Sequence, residues 1–206
     1  MAKRLVLSAV GMGALVMASS YAEAAAAITD VSGTVTVNGT VAGKCSVQPR
    51  GGSTFTGAID LGALDDPGGS GKINPALAAS SSGSPAGSQT FSVLCNTSAP
   101  TVGISATAMK DSSNTPPTGY TNTVDYEAAA HFVLTSGSEE FGTPSGGSST
   151  GNTLINPLSN TPDNVVIKVY GLNTDGGSNT SILTQGTYGT PGGVNGSGII
   201  SVTISP

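Results

Sequence analysis

Few residues of this chain could take part in catalysis or hold a metal. There is one histidine, His131, and there are two cysteines, Cys45 and Cys95. His131 lies between Ala128-Ala129-Ala130 and Phe132-Val133, an apolar stretch that reads as a strand. A general base needs a nucleophile and an orienting partner held beside it, and no G-x-S-x-G or H-E-x-x-H pattern supplies them. The expectation is a structural or surface histidine and no enzymatic activity. Gly68-Gly69-Ser70-Gly71-Lys72 has the look of a phosphate loop, but that pattern needs glycine where Asp66 stands and Ser or Thr where Ile73 stands. It reads as a glycine-rich turn behind Asp65-Asp66. Glu139-Glu140 reads as a solvated loop, a weak calcium site being the alternative. Asn-x-Ser/Thr triplets at Asn38, Asn96, Asn179 and Asn195 are what chance gives in a chain so rich in these residues. No catalytic residue, cofactor or metal-ligand set is expected.

The two cysteines belong to a different chemistry. Lys3-Arg4, the apolar stretch Leu5 to Met17, and Ala22-Glu23-Ala24 follow one another in the order of a secretory signal peptide, residues 1–24. The stretch is shorter than the roughly 18 residues that span a bilayer. In an exported chain without a C-x-x-C motif, Cys45 and Cys95 are expected to form a structural disulfide. Each sits on an alternating apolar run that turns it inward. Without residues 1–24 the chain keeps 5 basic and 11 acidic residues, a formal charge of −6. Nucleic acid and anionic membranes are poor partners for such a surface, and no membrane insertion is expected.

The elements that position these residues are all strands. A period of two dominates, with expected strands in the run Val31 to Val47 and at Thr56 to Leu61, Thr90 to Leu94, Thr101 to Ala106, Ala129 to Leu134, Val165 to Tyr170 and Ile199 to Ile204. Gly/Ser/Pro tracts between them, such as Ser80 to Ser88, Asn114 to Gly119 and Gly142 to Gly151, read as turns and loops. The only helical stretch, Ala76 to Ala79, is short. One all-β sandwich domain is the expectation.

The run from Val31 to Val47 is apolar or glycine at each odd position and almost wholly polar at the even ones. At about 3.3 Å per residue it would extend roughly 55 Å, about three ordinary strands. Three arrangements account for that length: a hairpin at Asn38-Gly39, a strand that changes sheets, or a strand preceded by an arm that inserts into a neighbour. At the other end Ile200, Val202 and Ile204 alternate with Ser201, Thr203 and Ser205 up to Pro206. A sandwich whose last strand ends there leaves a groove beside an unpaired edge.

The signal peptide, Gly33 to Val47 (GTVTVNGTVAGKCSV), Ile59-Asp60-Leu61-Gly62, Phe91-Ser92-Val93-Leu94-Cys95 and the terminal GIISVTIS, in this order, resemble a pilus subunit of the chaperone–usher class. The resemblance is to type 1-like fimbrial and spore coat protein U-like pilins, although Ser205 stands where many members carry an aromatic residue. It implies an incomplete immunoglobulin-like β-sandwich, residues 39–206, that lacks its final strand and has a disulfide between its first two strands. It implies a donor-strand extension, residues 25–38, with Val31, Gly33, Val35 and Val37 as the inward positions. A periplasmic chaperone would pair with the strand of Ile200, Val202 and Ile204, and an outer-membrane usher would exchange it for the arm of the next identical or related subunit. The implied product is a surface fimbria that supports adhesion or biofilm formation. A minor or tip ligand-binding subunit and a self-contained coat protein are the alternatives.

Overall fold

The computed structural model describes residues 35–111, 115–189 and 198–206. The expected signal peptide and residues 25–34, with Val31 and Gly33, lie outside them. Contacts divide the chain into residues 1–40 and 41–206. In the first unit residues 35–40 form no strand, and Val35 and Val37 are 88% and 91% exposed.

Residues 41–206 are mostly β-structure. The spine of the larger sheet is β7 (Thr123–Val133), whose even positions Val124, Tyr126, Ala128, Ala130 and Phe132 are buried. Alternation with period two sends them to one face, and three consecutive alanines let both neighbouring strands lie close. On one side β7 pairs antiparallel with β10 (Val165–Asn173), which pairs with β2 (Gly87–Phe91). On the other side it pairs with β8 (Ser138–Pro144) and, nearer its start, with the two-residue β5 (Met109–Lys110). A second sheet has the order β12 (Ile200–Ser205), β4 (Thr101–Ala106) and β9 (Ser148–Thr153). Two small ladders complete the folding unit: β1 (Cys45–Val47) with β3 (Val93–Cys95), and a parallel pair of β6 (Tyr120–Thr121) with β11 (Ile182–Leu183). The single α-helix among the described residues, α1 (Pro75–Ala78), is one turn capped by the Asn74 Oδ1, which accepts from the Ala76 N–H at 2.9 Å.

One apolar cluster joins the sheets: Val102, Ile104 and Ala106 of β4, the even residues of β7, Val165, Ile167 and Val169 of β10, and Val93 and Cys95 of β3. Ile200, Val202 and Ile204 pack on it half-buried. Tyr126 is the exception within it. It is 3% exposed, and its hydroxyl has no hydrogen-bond partner among the described residues. Burial pushes its pKa up to about 12 from 10.0. The hydroxyl is therefore neutral in the folded chain at pH values where the unfolded chain ionises. Its contribution to stability is complete below pH 10 and is lost as pH rises toward 12, a fall on the order of 2 kcal/mol. Tyr126→Phe removes the unpaired hydroxyl, so the variant is expected to be as stable as the parent or up to about 1 kcal/mol more stable near pH 7. In urea titrations from pH 9 to 12 it should also lose less stability than the parent. A loss of 2 kcal/mol or more in Tyr126→Phe at pH 7 would contradict this account.

Of the run Val31 to Val47, expected as strand, the described residues 35–47 are a strand only over Cys45–Val47. A strand needs a ladder partner, and β3 ends at Cys95, after which the chain bends through residues 97–99 to Pro100, which has no N–H to donate. Thr56 to Leu61 is not a strand either. Residues 55–61 run antiparallel along β2 through side chains, with the rings of Phe55 and Phe91 4.4 Å apart and Gly87 too close to Ile59 and Leu61 to admit a Cβ. The strand expected at Thr90 to Leu94 is two, β2 and β3, separated at Ser92. Gly142 to Gly151 and Glu139-Glu140, expected as loops, carry most of β8 and β9.

Candidate functional site

The last strand, β12, has a regular ladder on one side only. Its register with β4 runs unbroken from Ile200↔Ala106 to Ser205↔Thr101. The phase of the ladder is given by the Thr107 N–H, which donates to the Ile199 carbonyl at 2.9 Å, and by the Ala106 N–H, which turns away to the Gly147 carbonyl. In an antiparallel pair, residues alternate between bonding the partner and facing away. Ser201, Thr203 and Ser205 therefore bond β4, while the main-chain N–H and C=O groups of Ile200, Val202 and Ile204 face an edge where no strand stands among the described residues.

Other sheet edges are blunted in the ways that exposed strands commonly are. The β9 register with β4 breaks between Val102 and Ile104, and Gly151 there has φ +73°, a conformation glycine adopts without strain, so the edge bulges. On β8 the edge carries Glu139 and Glu140 and ends at Pro144. Residues 55–61 lie along β2, and β1 is three residues long. By contrast, β12 has six residues with no charge, proline or bulge.

Cys45 and Cys95 lie opposite one another in the β1–β3 register, with Cα atoms 4.1 Å apart, and are joined by a disulfide. The bridge closes a loop with a sequence separation of 50. In the chain-entropy account that contributes about 4 kcal/mol. Two asparagines hold this region. Asn164, 1% exposed, accepts from the Val93 N–H at 2.8 Å and donates to the carbonyls of Val93 at 2.7 Å and Ser159 at 2.6 Å. Asn96 donates its side-chain N–H to the Ala42 carbonyl at 2.9 Å, and its Oδ1 accepts from the Lys44 N–H at 2.6 Å. In the sequence Asn96 stands out as the start of a chance Asn-x-Ser/Thr triplet directly after Cys95, which gives no sign of this clamp.

His131 lies on the outer face of β7, its Nδ1 3.4 Å from the Glu140 Oε2, which also accepts from Lys168 Nζ at 2.6 Å. The strand registers bring these three side chains from β7, β8 and β10 onto one face. Exposed ion pairs of this kind contribute at most about 1 kcal/mol. Asp66 accepts from the Gly68 N–H and the Ser70 hydroxyl, bonds that hold its carboxyl below the usual range and shape the 66–72 segment as a turn. Of the asparagine triplets, Asn195 lies outside the described residues. Asn179 closes the turn after β10 by accepting from the Thr174 N–H at 2.7 Å. Among the described residues no group of His, Cys, Asp and Glu side chains is placed to hold a metal ion, and no helix is long and apolar enough to cross a membrane.

No family model, curated protein or solved structure matches this chain.

Proposed function

We propose that the chain is a structural subunit of a surface fibre of the chaperone–usher pilus kind, built by strand donation between copies. The observation that carries this reading is the β12 edge: six uncharged residues with three outward-facing main-chain pairs, above apolar side chains that are only half-buried. An edge of that kind is a template for β-augmentation, in which main-chain hydrogen bonds give affinity and alternate side chains give specificity. In this reading residues 39–206 are an incomplete immunoglobulin-like sandwich, and residues 25–38 of another copy supply its missing strand. Val31, Gly33, Val35 and Val37 face the groove. The exposure of Val35 and Val37 suits side chains whose apolar partners lie in a second molecule. Joining is heterologous and does not close on itself, so copies propagate into a fibre. A periplasmic chaperone would occupy the edge until an outer-membrane usher exchanges it for the arm, after export of the chain to the cell surface.

The test uses a chain lacking residues 25–38 and a synthetic peptide of that stretch. Peptide at about 100 times its Kd is expected to stabilise the chain by about 2.7 kcal/mol in a concentration-dependent way, and a Gly33→Leu peptide to do so less. An unchanged unfolding curve at saturating peptide would sink the reading.

A further inference from the structure

The chain just before β1 is held by one side chain. The register that places Cys45 opposite Cys95 continues one step, where the Asn96 N–H donates to the Lys44 carbonyl at 3.0 Å. Beyond that point no partner strand remains among the described residues, and the Asn96 carboxamide stands in for it through its bonds to the Lys44 N–H and the Ala42 carbonyl. Gly43, between the two clamped residues, faces the C-terminal residue: a Cβ there would lie 2.9 Å from the Pro206 Cβ, closer than side-chain carbons pack. Residues 42–44 are thus pinned between a carboxamide and the end of the chain, directly ahead of a covalent cross-link. The Ala42 carbonyl is the most N-terminal group that the Asn96 side chain holds.

We propose that Asn96, with Gly43 seated on Pro206, is the anchor of the donor arm and thereby sets the distance and stiffness between successive subunits. The proposal rests on the fibre reading above. An arm that bridges two subunits has a free length measured from its last fixed residue. With the clamp closed, that residue is Ala42. Opened, the fixed point moves back to Lys44, whose carbonyl still accepts from the Asn96 main-chain N–H, and two more residues, at about 3.3 Å each, join the linker. The hydrogen bonds of Asn96 are solvent-exposed and individually weak, so one substitution suffices to open the clamp. As a positioning residue Asn96 bonds Ala42 and Lys44 rather than β12, and its loss should leave the affinity of the β12 groove for the 25–38 peptide unchanged.

Fibres of the full chain and of Asn96→Ala, imaged by electron microscopy, give the readout. Asn96→Ala is expected to lengthen the mean subunit spacing by up to about 7 Å, or to widen its distribution about twofold, and to shorten the persistence length. Asn96→Asp keeps the acceptor for the Lys44 N–H and loses the donor to Ala42, so its fibres should fall between. Gly43→Val forces the chain off Pro206 without touching Asn96, and should reproduce the slack should Asn96→Ala not fold. Wild-type spacing and stiffness in these variants, even with a lowered melting temperature, would overturn the anchor, since a merely structural role moves only the melting temperature. Absence of fibres from the unaltered chain would instead overturn the fibre reading.

Discussion

Val202→Pro is expected to leave the subunit folded and to cut the yield of fibres at least tenfold. The ladder phase makes the two effects separable. Val202 has its main-chain groups on the open side of β12, so a proline there removes no bond to β4. Proline is tolerated on edge strands where its missing N–H would have faced outward. The residue before it, Ser201, is already extended, as a residue preceding proline prefers. What is lost is the central donor of the open edge, and the pyrrolidine ring stands where an incoming strand would pair. Thr203→Pro, one residue further on, is the contrast. Its N–H belongs to the side that pairs with Gly103 of β4, so the substitution leaves a carbonyl of the ladder unpaired and should destabilise the subunit itself by about 2 kcal/mol. Unfolding curves and fibre yield, measured on both variants, check the assignment. Val202→Pro fibres at the wild-type yield would show that β12 is not the acceptor edge.

The legible parts of the fold were those where β-branched residues alternate. Thr101 to Ala106 is a strand at the bounds that its pattern indicates, and the last strand differs from expectation by one residue at each end. The first buries one full set of side chains and the last half-buries one, which is what period two encodes. The strand around His131 begins earlier than its expected bounds, at Thr123; Val124, Tyr126 and Ala128 alternate there with outward-facing Asp125 and Glu127, a period-two pattern that the expected bounds leave out. By comparison, β8 and β9 are SEEFGTP and SSTGNT, with one large apolar residue, Phe141, between them. They are held mainly by main-chain bonds to strands that are well buried, and such bonds leave no trace in composition. Over residues 35–44 of the Val31 to Val47 run the difference goes the other way: alternation specifies which face would be buried and says nothing about whether a partner strand exists.

The candidate site divides along the same line. The pairing of Cys45 with Cys95 and the apolar face of Ile200, Val202 and Ile204 follow from residue types and spacing. The vulnerability of β12 does not, since an edge is open only relative to the edges that are blunted. Gly151 and the Glu139-Glu140 pair do the blunting on strands that the sequence presented as loops. Asn96 and Asn164 were equally hidden. In both, a carboxamide imitates a peptide group, and the positions it must reach, Ala42 and Lys44 in one case and Val93 and Ser159 in the other, are brought together only by the folded chain.

Asn164→Asp is expected to destabilise the subunit at neutral pH by about 4 kcal/mol, a large share of the 5 to 15 kcal/mol typical of a domain. The carboxamide of Asn164 acts as a missing residue of a strand: one acceptor and two donors meet the N–H and C=O of Val93 and the C=O of Ser159. Its own carbonyl accepts from the Val133 N–H at 2.8 Å, tying β3, the 159–164 loop and the end of β7 together. A carboxylate can accept from Val93 but has nothing to donate. Two buried carbonyls then lose their partners, at about 1 to 3 kcal/mol each, and face a negative charge as well. Those carbonyls raise the pKa of the introduced acid, because only the protonated form donates to one of them. The folded pKa lies above the unfolded one, so the variant keeps most of its stability below about pH 4 and loses it as pH rises through the raised value. Urea midpoints at pH 4 and pH 7 should therefore diverge for Asn164→Asp, against a smaller change in the parent. Asn164→Leu strips all three bonds without adding a titrating group, and should be destabilised at both pH values by similar amounts. If Asn164→Asp were as stable as the parent at pH 7, the carboxamide would not be the element that joins β3 to the rest of the core.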